Sequence, residues 1–451
     1  MVYIPNTDDD RRLMLEKIGV ASLEDLLAPI PDKLRLKQPL DLPEPLSEME
    51  LFRQMKALAL KNADYLTVFA GGGVYDHYVP AVVEALAGRP EFQTAYTPYQ
   101  AEVSQGTLQA IYEFQSHICR LTGMDAANAS MYDGASAVAE AALLSMNKTR
   151  RAGIVVSDAV SPLYRQVLAT YLAGKEVEIT IVPHSEGQTD FDRIGEVVND
   201  DTACLILAQP NFFGLIEDIE QGGQLIHKTG GHLIVAADPI AAAVLTPPGE
   251  VGADITVGEG QPLGLPLNFG GPLLGFFAVK KELIRLLPGR LAARTEDVDG
   301  RPGFVLTLQT REQHIRRDRA TSNICTNQAL CATMAAIYMS LLGRQGLRQV
   351  ALLSLDRAHR AAEKIFSRPE YEPWFEGAFV REMVVRTPGP AAELIEHFVE
   401  KYGLLAGIDL GRYYPDMENA LLIAFTEKRT ESEIDKLSDS FRKYASHAVL
   451  P

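Results

Sequence analysis

The chain has 451 residues, and 43 basic against 59 acidic side chains give it a formal net charge of −16. This balance argues against a nucleic-acid-binding surface, which needs clustered positive charge, and against a basic patch for anionic membranes. The length is about three times that of a typical domain, and 47% hydrophobic residues are ordinary for a globular protein. Two or three structural units are therefore expected.

The cysteines are too few and too scattered for a disulfide scaffold, and none has the spacing of a metal ligand. They are Cys119, Cys204, Cys325 and Cys331. The first residues show no basic segment followed by an apolar one, so no signal peptide is predicted. The best apolar run, Leu233 to Leu245, contains Asp238 and is too short to span a bilayer. These features predict a cytoplasmic protein with no membrane segment and no metal.

Prolines divide residues 1–60 into short amphipathic segments. The first predicted helix is Arg11 to Ile18, a second follows Ser22, and a third runs from Glu48 to Leu60. Such a region has little core of its own. We expect an N-terminal helical arm that wraps a neighbour.

Residues 61–320 alternate strand-length apolar runs with helix-length spacers such as Pro162 to Leu172 and Phe191 to Val198. Several of the runs are apolar on both faces, as in parallel strands covered by helices. The strand candidates are Gly153–Ser157, Val177–Val182, Ala203–Ala208, Leu233–Ala237 and Ala253–Val257. The pattern predicts a large, doubly wound α/β domain with a mainly parallel sheet.

Residues 321–451 have a different pattern. A helical stretch from Asn327 to Ile365 leads to a strand at Glu382–Arg386. A helix at Ala391–Tyr402, a strand at Ala420–Phe425 and a helix at Glu431–Tyr444 follow. This order predicts a small C-terminal α+β domain.

The triplet Gly71-Gly-Gly73 follows an apolar run but does not complete a dinucleotide fingerprint, because Asp76 stands where the third glycine is needed. A Walker loop is also missing. The glycines instead predict a turn that holds Tyr75, His77 and Tyr78 near a cleft. A nicotinamide site is not expected.

A turn at Asp133-Gly134 leads into a helix of small residues that includes Ser136. Open backbone N–H groups and a hydroxyl at a helix start can cradle a phosphate. An ordinary helix cap formed by Asp133 or Ser136 explains the same residues, and this alternative stays open.

Asp238 ends a predicted parallel strand, at the edge where α/β proteins bind their ligands. In pyridoxal-phosphate enzymes such an aspartate pairs with the pyridinium nitrogen. The alternative is that Asp238 caps the turn that follows.

Six short motifs, in this order, resemble the glycine-cleavage P-protein family (glycine dehydrogenase, decarboxylating). The match covers nearly the whole chain and fits the N-terminal-half subunit found where that enzyme is divided between two chains. The motifs are Gly71-Gly-Gly-Val-Tyr-Asp-His-Tyr-Val-Pro80, Tyr96-Thr-Pro-Tyr-Gln-Ala-Glu-Val-Ser-Gln-Gly106, Tyr132-Asp-Gly-Ala-Ser136, Gln209-Pro-Asn-Phe-Phe-Gly214, Gly270-Gly-Pro272 and Thr321-Ser-Asn-Ile-Cys-Thr326.

The resemblance implies pyridoxal-phosphate enzyme fold type I, the aspartate-aminotransferase-like fold, with a large domain and a small C-terminal domain. It also implies that glycine loses CO2 and that its aminomethyl group passes to the lipoyl arm of the H-protein. The expected partners are therefore the H-protein and a second P-protein subunit. Two copies of each chain are expected, as a heterotetramer.

One departure from the family's catalytic half concerns the lysine that binds pyridoxal phosphate as a Schiff base. Aligning on Pro266 and Gly270-Gly-Pro272 puts Gln261 at the lysine position, and aligning on Gly252-Ala-Asp254 puts Pro262 there. The His227-Lys-Thr229 triplet spells the family motif but precedes Asp238, inside a predicted helix. The partner chain is thus expected to carry the cofactor, and Asp133, Ser136, Asp238 and Gln261 form a degenerate site.

Our candidate catalytic residues lie in the second motif, where Pro98 restrains a segment with two tyrosines. We expect hydroxyls of Tyr96 and Tyr99 to contact the glycine carboxylate. Glu102 would orient them or the lipoyl thiol, and Ser104 and Gln105 would bond across the subunit interface. The alternative is that both rings are packing anchors between subunits, where tyrosine is common.

Three hypotheses about function follow. The favoured one is a subunit that completes the active site of a heteromeric decarboxylase. The second is a catalytically inert scaffold that stabilises the other chain. The third is a self-sufficient pyridoxal-phosphate enzyme that uses another lysine.

Overall fold

A computed structural model describes residues 5–448, apart from 95, 310, 311, 321, 323, 325 and 326. The chain forms two compact units, Met1–Asp64 and Tyr65–Pro451. Of the motif at Thr321–Thr326, the described residues include only Ser322 and Ile324. None of the helices in the described ranges combines the length and apolar character that a bilayer span requires.

The first unit consists of helices α1 (Asp8–Ile18), α2 (Leu23–Leu26) and α3 (Glu48–Ala59). Each starts with a capping box. In α1, for example, the Thr7 hydroxyl accepts from the Asp10 N–H while the Asp10 carboxylate accepts from the Thr7 N–H. This cap explains why α1 begins at Asp8, three residues before the predicted start. None of the described residues of this unit is buried.

The second unit contains seventeen strands and eleven α-helices in its described residues. The strands are β1 (Thr67–Val68), β2 (Ala126–Ala127), β3 (Gly153–Ser157), β4 (Glu178–Val182), β5 (His184–Ser185), β6 (Gln188–Thr189), β7 (Thr202–Gln209), β8 (His232–Ala237), β9 (Ile255–Glu259), β10 (Gly275–Val279), β11 (Leu291–Glu296), β12 (Pro302–Thr307), β13 (Glu372–Pro373), β14 (Glu382–Arg386), β15 (Leu404–Leu405), β16 (Ile408–Asp409) and β17 (Ala420–Ala424). The helices are α4 (Ala81–Ala87), α5 (Pro90–Gln93), α6 (Gln105–Thr122), α7 (Gly134–Thr149), α8 (Pro162–Leu172), α9 (Phe191–Val197), α10 (Ile219–Lys228), α11 (Gln313–Arg316), α12 (Ala329–Phe366), α13 (Ala391–Tyr402) and α14 (Glu431–Ala448).

Seven strands form the main sheet, in the order β2-β10-β9-β8-β7-β3-β4. The five from β9 to β4 pair in parallel, and β10 is antiparallel to both of its neighbours. The prediction of a mainly parallel sheet is confirmed. All five predicted strands are present, with ends shifted by two residues or fewer.

Helices cover both faces of this sheet, because its strands are apolar on both sides. Leu205 and Leu207 of β7 pack into the core that α6, α10 and α12 share. Cys204 and Ile206 of the same strand point to the opposite core, under α7 and α8. This alternation is the two-residue period of a strand whose two faces are both buried.

The antiparallel sheet β13-β14-β17-β16 packs with α13 and α14 to form a C-terminal layer. The long α12 leads into it from the main sheet and departs from helical geometry at Gly343. There φ is 59°, in the left-handed region that glycine adopts without a steric penalty. A third core of aromatic and aliphatic residues, including Phe398, Ile423 and Phe441, fills this layer.

Candidate functional site

The parallel strands bring several predicted residues to one edge of the main sheet. β8 ends at Ala237, directly before Asp238, and β9 ends at Glu259, two residues before Gln261. The first turn of α7 begins at the same edge, with Asp133 as its cap. Carboxyl ends of parallel strands form the crevice in which α/β folds bind ligands, so this edge is the first candidate site.

The cleft at this edge has a volume of about 70 Å³. Its lining joins the strand ends to the glycine-rich turn and to the start of β14. The lining includes Gly72, Tyr75, Tyr164, Asp238, Glu259 and Arg381. No lysine lines it among the described residues.

Asp238 is fully engaged by groups of this chain. Its Oδ1 accepts from the backbone N–H groups of Ile240 and Ala241, at 2.8 and 3.1 Å. Its Oδ2 pairs with the guanidinium of Arg381, which directly precedes β14. The predicted turn cap is therefore present, and the other carboxylate oxygen pairs with an arginine of this chain.

Arg381 is 2% exposed and stacks on the Tyr75 ring, with its Cζ 3.5 Å from the ring centroid. It also donates to Nε2 of His77, whose Nδ1 lies 2.6 Å from the Glu427 carboxylate. Burial lowers the pKa of His77, which favours a neutral ring. Because Nε2 faces a donor, the ring proton lies on Nδ1 and points to Glu427.

The glycine triplet lets the turn at residues 71–73 press against Glu382. A Cβ on Gly71 would lie 2.4 Å from the Glu382 Oε1 atom, and Gly72 has a φ of +72°. The Glu382 carboxylate accepts from the Gly72 N–H and the Tyr75 hydroxyl, both at 2.7 Å. Burial raises the pKa of Glu382, although the adjacent Arg381 acts in the opposite direction. The turn therefore joins the C-terminal layer to the cleft.

Gln261 occupies the predicted lysine position and is 1% exposed. Its Oε1 accepts from the Tyr75 N–H at 2.9 Å, and its Nε2 donates to the carbonyls of Tyr75 and Leu265, at 3.0 and 2.8 Å. All of these bonds are internal. Gln261 thus fixes the turn at Tyr75 to the end of β9.

The carboxylate of Glu259, the last residue of β9, reaches the start of α7. For this helix start the sequence predicted either a phosphate cradle or a helix cap. The Glu259 Oε2 atom accepts from the Gly134 N–H at 3.0 Å. The other prediction for this turn, a helix cap, is confirmed. Asp133 accepts from the Ser136 N–H at 2.7 Å, and the Ser136 hydroxyl donates to the Asp133 carbonyl.

These contacts test whether the cleft fits pyridoxal phosphate, the cofactor that the resemblance implies. The lysine position holds glutamine, Asp238 is paired with Arg381, and a carboxylate lies at the helix start. The volume of about 70 Å³ is also far below the ~300–1,000 Å³ typical of cofactor pockets. The residues of this cleft do not fit the cofactor.

The candidate catalytic residues form a separate, outward-facing group, and none of them lines the cleft. Tyr96 is 76% exposed and Tyr99 is 50% exposed. The Tyr99 hydroxyl accepts from the buried Arg290 guanidinium at 2.9 Å, and Arg290 lies 3.7 Å from the Glu312 carboxylate. The ring of Tyr99 is thus held from inside while half of its surface faces outward.

The remainder of this segment is anchored by its last residue. The Gln105 amide donates to the Phe304 carbonyl at 2.9 Å and accepts from the Phe304 N–H at 2.8 Å, which attaches the start of α6 to β12. Glu102 is exposed, and Ser104 directly precedes the first turn of α6. Gln105 therefore has a structural role in this chain, whatever it contributes across an interface.

The sequence-based reasoning missed Arg381, Glu382 and Arg290. Arg381 and Glu382 are two adjacent charged residues at the start of a predicted apolar strand. Charged residues at that position could have indicated a buried polar site. Their partners Asp238 and Tyr75 lie 143 and 307 residues away in the sequence, and local patterns do not reveal such pairings.

Comparisons with known proteins agree with the resemblance stated above. Residues 1–441 match the family model for the glycine cleavage system P-protein. A protein of Carboxydothermus hydrogenoformans named "probable glycine dehydrogenase (decarboxylating) subunit 1" is 52% identical, over 97% of this chain and 98% of that protein. A crystal structure of glycine decarboxylase (P-protein) in inhibitor-bound form superposes with a TM-score of 0.89 at 44% identity, covering 98% of this chain and 100% of that one.

A more distant likeness shows the fold alone. Glutamate decarboxylase of Lactobacillus brevis superposes with a TM-score of 0.69 at 13% identity, covering 92% of this chain and 96% of that one. Both superpositions confirm the predicted fold class, fold type I.

Proposed function

The chain belongs to the glycine cleavage system P-protein family, and from this premise we propose that it is one subunit of a glycine decarboxylase. A second P-protein subunit supplies pyridoxal phosphate, and the complex decarboxylates glycine. The aminomethyl group then passes to the lipoyl group of the H-protein. The chain acts as an oxidoreductase subunit, and it is not active alone.

One observation carries this proposal: Gln261, at the predicted lysine position, is buried and has all of its amide atoms bonded within the chain. An amide forms no Schiff base, and the cleft around it does not fit the cofactor. Pyridoxal phosphate held by the partner would supply an electron sink for the decarboxylation. This chain's contribution must then come from groups that face outward.

The outward-facing group is Tyr96, Tyr99, Glu102, Ser104 and Gln105. Glycine is small, so its site can use only a few polar contacts, chiefly to the carboxylate. Tyr99 is held by Arg290 with half of its surface exposed, which supports a positioned hydroxyl that reaches a neighbouring chain. In our proposal the tyrosine hydroxyls orient the glycine carboxylate in the partner's site, Glu102 orients the hydroxyls or the lipoyl thiol, and Ser104 and Gln105 bond across the interface.

Assembly gives the other parts of the chain their roles. We propose that residues 1–60 are an arm that covers the partner, that 61–320 and 321–451 are the large and small domains, and that two copies of each chain associate. The arm exposes many large apolar side chains, including Leu13, Phe52 and Met55, and has no buried described residue. Exposed apolar surface of this extent is typical of a protein–protein interface.

We also propose a cytoplasmic location. Cys119, Cys204 and Cys331 are free thiols, and Cys325 lies outside the described residues. Unpaired thiols are usual in reducing compartments, which supports this location.

The test is co-expression of this chain with its second subunit, followed by glycine–bicarbonate CO2 exchange in the presence of H-protein. Each chain purified alone is the control. We expect exchange only from the complex. Full activity of the second subunit alone would establish the scaffold hypothesis instead, and activity of this chain alone would establish a self-sufficient enzyme.

A further inference from the structure

The Glu259 carboxylate has an unusual set of partners. It is 6% exposed, and its oxygens accept from three backbone N–H groups: Gly134 at 3.0 Å, and Gln261 and Leu274 at 2.9 Å each. No ion pair of Glu259 occurs among the described residues. Backbone N–H groups at three positions thus surround this carboxylate.

Such an arrangement is how proteins hold phosphate oxygens. The first N–H groups of a helix point at an anion, and the helix dipole favours negative charge there. Gly134 is the first residue of α7, and Leu274 precedes β10 on the far side of β9. The first N–H group of α7 therefore already bonds a carboxylate of this chain.

At the opposite end of the cleft, a charged group of this chain again occupies the position expected for part of the cofactor. Asp238, the residue predicted to pair with a pyridinium nitrogen, pairs with the buried guanidinium of Arg381, which lies over the Tyr75 ring. A delocalised planar cation thus occupies the position beside the aspartate. Between the two ends, Gln261 joins Tyr75 to the end of β9.

We infer that the Glu259 carboxylate and the Arg381 guanidinium replace the phosphate and the ring cation of the cofactor, so that this chain fills its own ancestral cofactor site. The inference rests on the proposed function, in which the partner carries the cofactor. It explains how the cleft can be stable without a cofactor. Each charged group of the site has an opposite charge or a hydrogen-bond donor in the same chain. It also predicts that removing Glu259 uncovers an anion site.

The test is anion rescue of Glu259→Ala in the full chain, using inorganic phosphate as the probe. Thermal unfolding is measured in phosphate and in sodium chloride of equal ionic strength. The variant should lose stability in chloride and gain about 2 °C or more from phosphate, because an anion that binds only the folded state stabilises it.

Phosphate stabilises many proteins without binding them, so the gain counts only in excess of two controls. The first is the parent chain. The second is Glu217→Ala, which removes another buried carboxylate whose bonds go to Thr189 and Asn211, neither of them in a helix. Should Glu259→Ala fail to fold in either salt, Glu259→Ser, which leaves a smaller void, is measured in the same way.

A saturable phosphate gain confined to the Glu259 variants supports the inference. Equal phosphate responses in the variants and both controls, or no response in either Glu259 variant, overturn it. Binding of pyridoxal phosphate through a lysine of the parent chain would instead overturn the proposed function, so the two failures are distinguishable.

Discussion

The cleft and the Tyr96–Gln105 segment have opposite relations to the rest of the chain. In the cleft, Asp238, Arg381, Glu259 and Gln261 find their partners within the chain. In the outer segment, Tyr96 and Tyr99 present 76% and 50% of their surfaces. A site whose charged groups find their partners within the chain has little charge left to bind a ligand with, whereas held but exposed hydroxyls are available to a neighbour.

The difference shows that likeness to a cofactor fold does not locate the chemistry. The strand ends, the helix start and the aspartate of the family fold are all present, yet the cleft is closed by its own side chains. The Tyr96–Gln105 segment, in contrast, lies outside the cleft. In the proposed function, its role depends on what another chain brings to it.

The largest expected effect comes from breaking the closed cleft at its cation. Arg381→Met leaves Asp238 and Glu382 buried without their guanidinium, and loss of one partner of a buried pair costs about 3–5 kcal/mol in the free energy of unfolding. Denaturant unfolding of the full chain measures it. Arg360→Met is the control, because Arg360 pairs with Asp356 at the surface and its loss should change stability little. Equal losses in both variants would mean that the buried pairing has no special role.

A second effect depends on pH. Burial raises the pKa of Glu259 from 4.5 to about 7, so the folded chain binds this proton more tightly than the unfolded chain does. The resulting stability is fully present below pH 4.5 and is lost as the pH rises through about 7. The loss is on the order of 3–4 kcal/mol, because the pKa rises by about 2.5 and each pKa unit is worth ~1.4 kcal/mol.

Glu259→Gln should remove this part of the pH dependence. Glu140, whose pKa burial also raises to about 7, is present in both proteins, so the difference between parent and variant isolates Glu259. Unfolding free energies measured across the range provide the test. Parallel pH profiles for parent and variant would show that Glu259 does not titrate in this range.

A smaller effect tests the outer segment. Tyr96→Phe and Tyr99→Phe keep the ring area and remove only the hydroxyl. At least one should leave assembly of the complex unchanged, by size-exclusion mass, and lower CO2 exchange tenfold or more, about 1.4 kcal/mol of transition-state stabilisation. Tyr171→Phe, on α8, is the matched control. If both variants assemble and turn over like the parent, the tyrosines are packing anchors.

For the last variant, Gln261→Lys, we expect no change in decarboxylase activity. Gln261→Lys should not give this chain decarboxylase activity, because a lysine alone lacks the preorganised contacts that place a cofactor and substrate. Glycine decarboxylation is assayed with the variant chain in the absence of the partner. Measurable turnover would mean that the cleft still works as a cofactor site.

The sequence predicted the fold well because its signals are local. Apolar runs gave β3 and β14, and helix-length stretches gave α8 and α13, with the observed bounds. The end of β9 was less well predicted. Its apolar run stops at Val257, but the strand continues to Glu259 because Gly258 and Glu259 pair with Phe276 and Gly275 of β10.

The site was predicted only in part, for a related reason. Asp238 could be located because it follows an apolar strand, and Gln261 because Gly270-Gly-Pro272 provides a landmark. The pairing of Asp238 with Arg381 joins residues 143 positions apart, and that of Gln261 with Tyr75 joins residues 186 apart. Such pairings follow from tertiary packing and cannot be predicted from local sequence patterns.

The central claim is that this chain completes an active site whose cofactor another chain carries. The most direct test is to assemble the two-subunit complex with pyridoxal phosphate, reduce it with borohydride, and locate the modified lysine by peptide mass spectrometry. The account predicts a modified lysine in the second subunit and none in this chain. A modified lysine in this chain would contradict it.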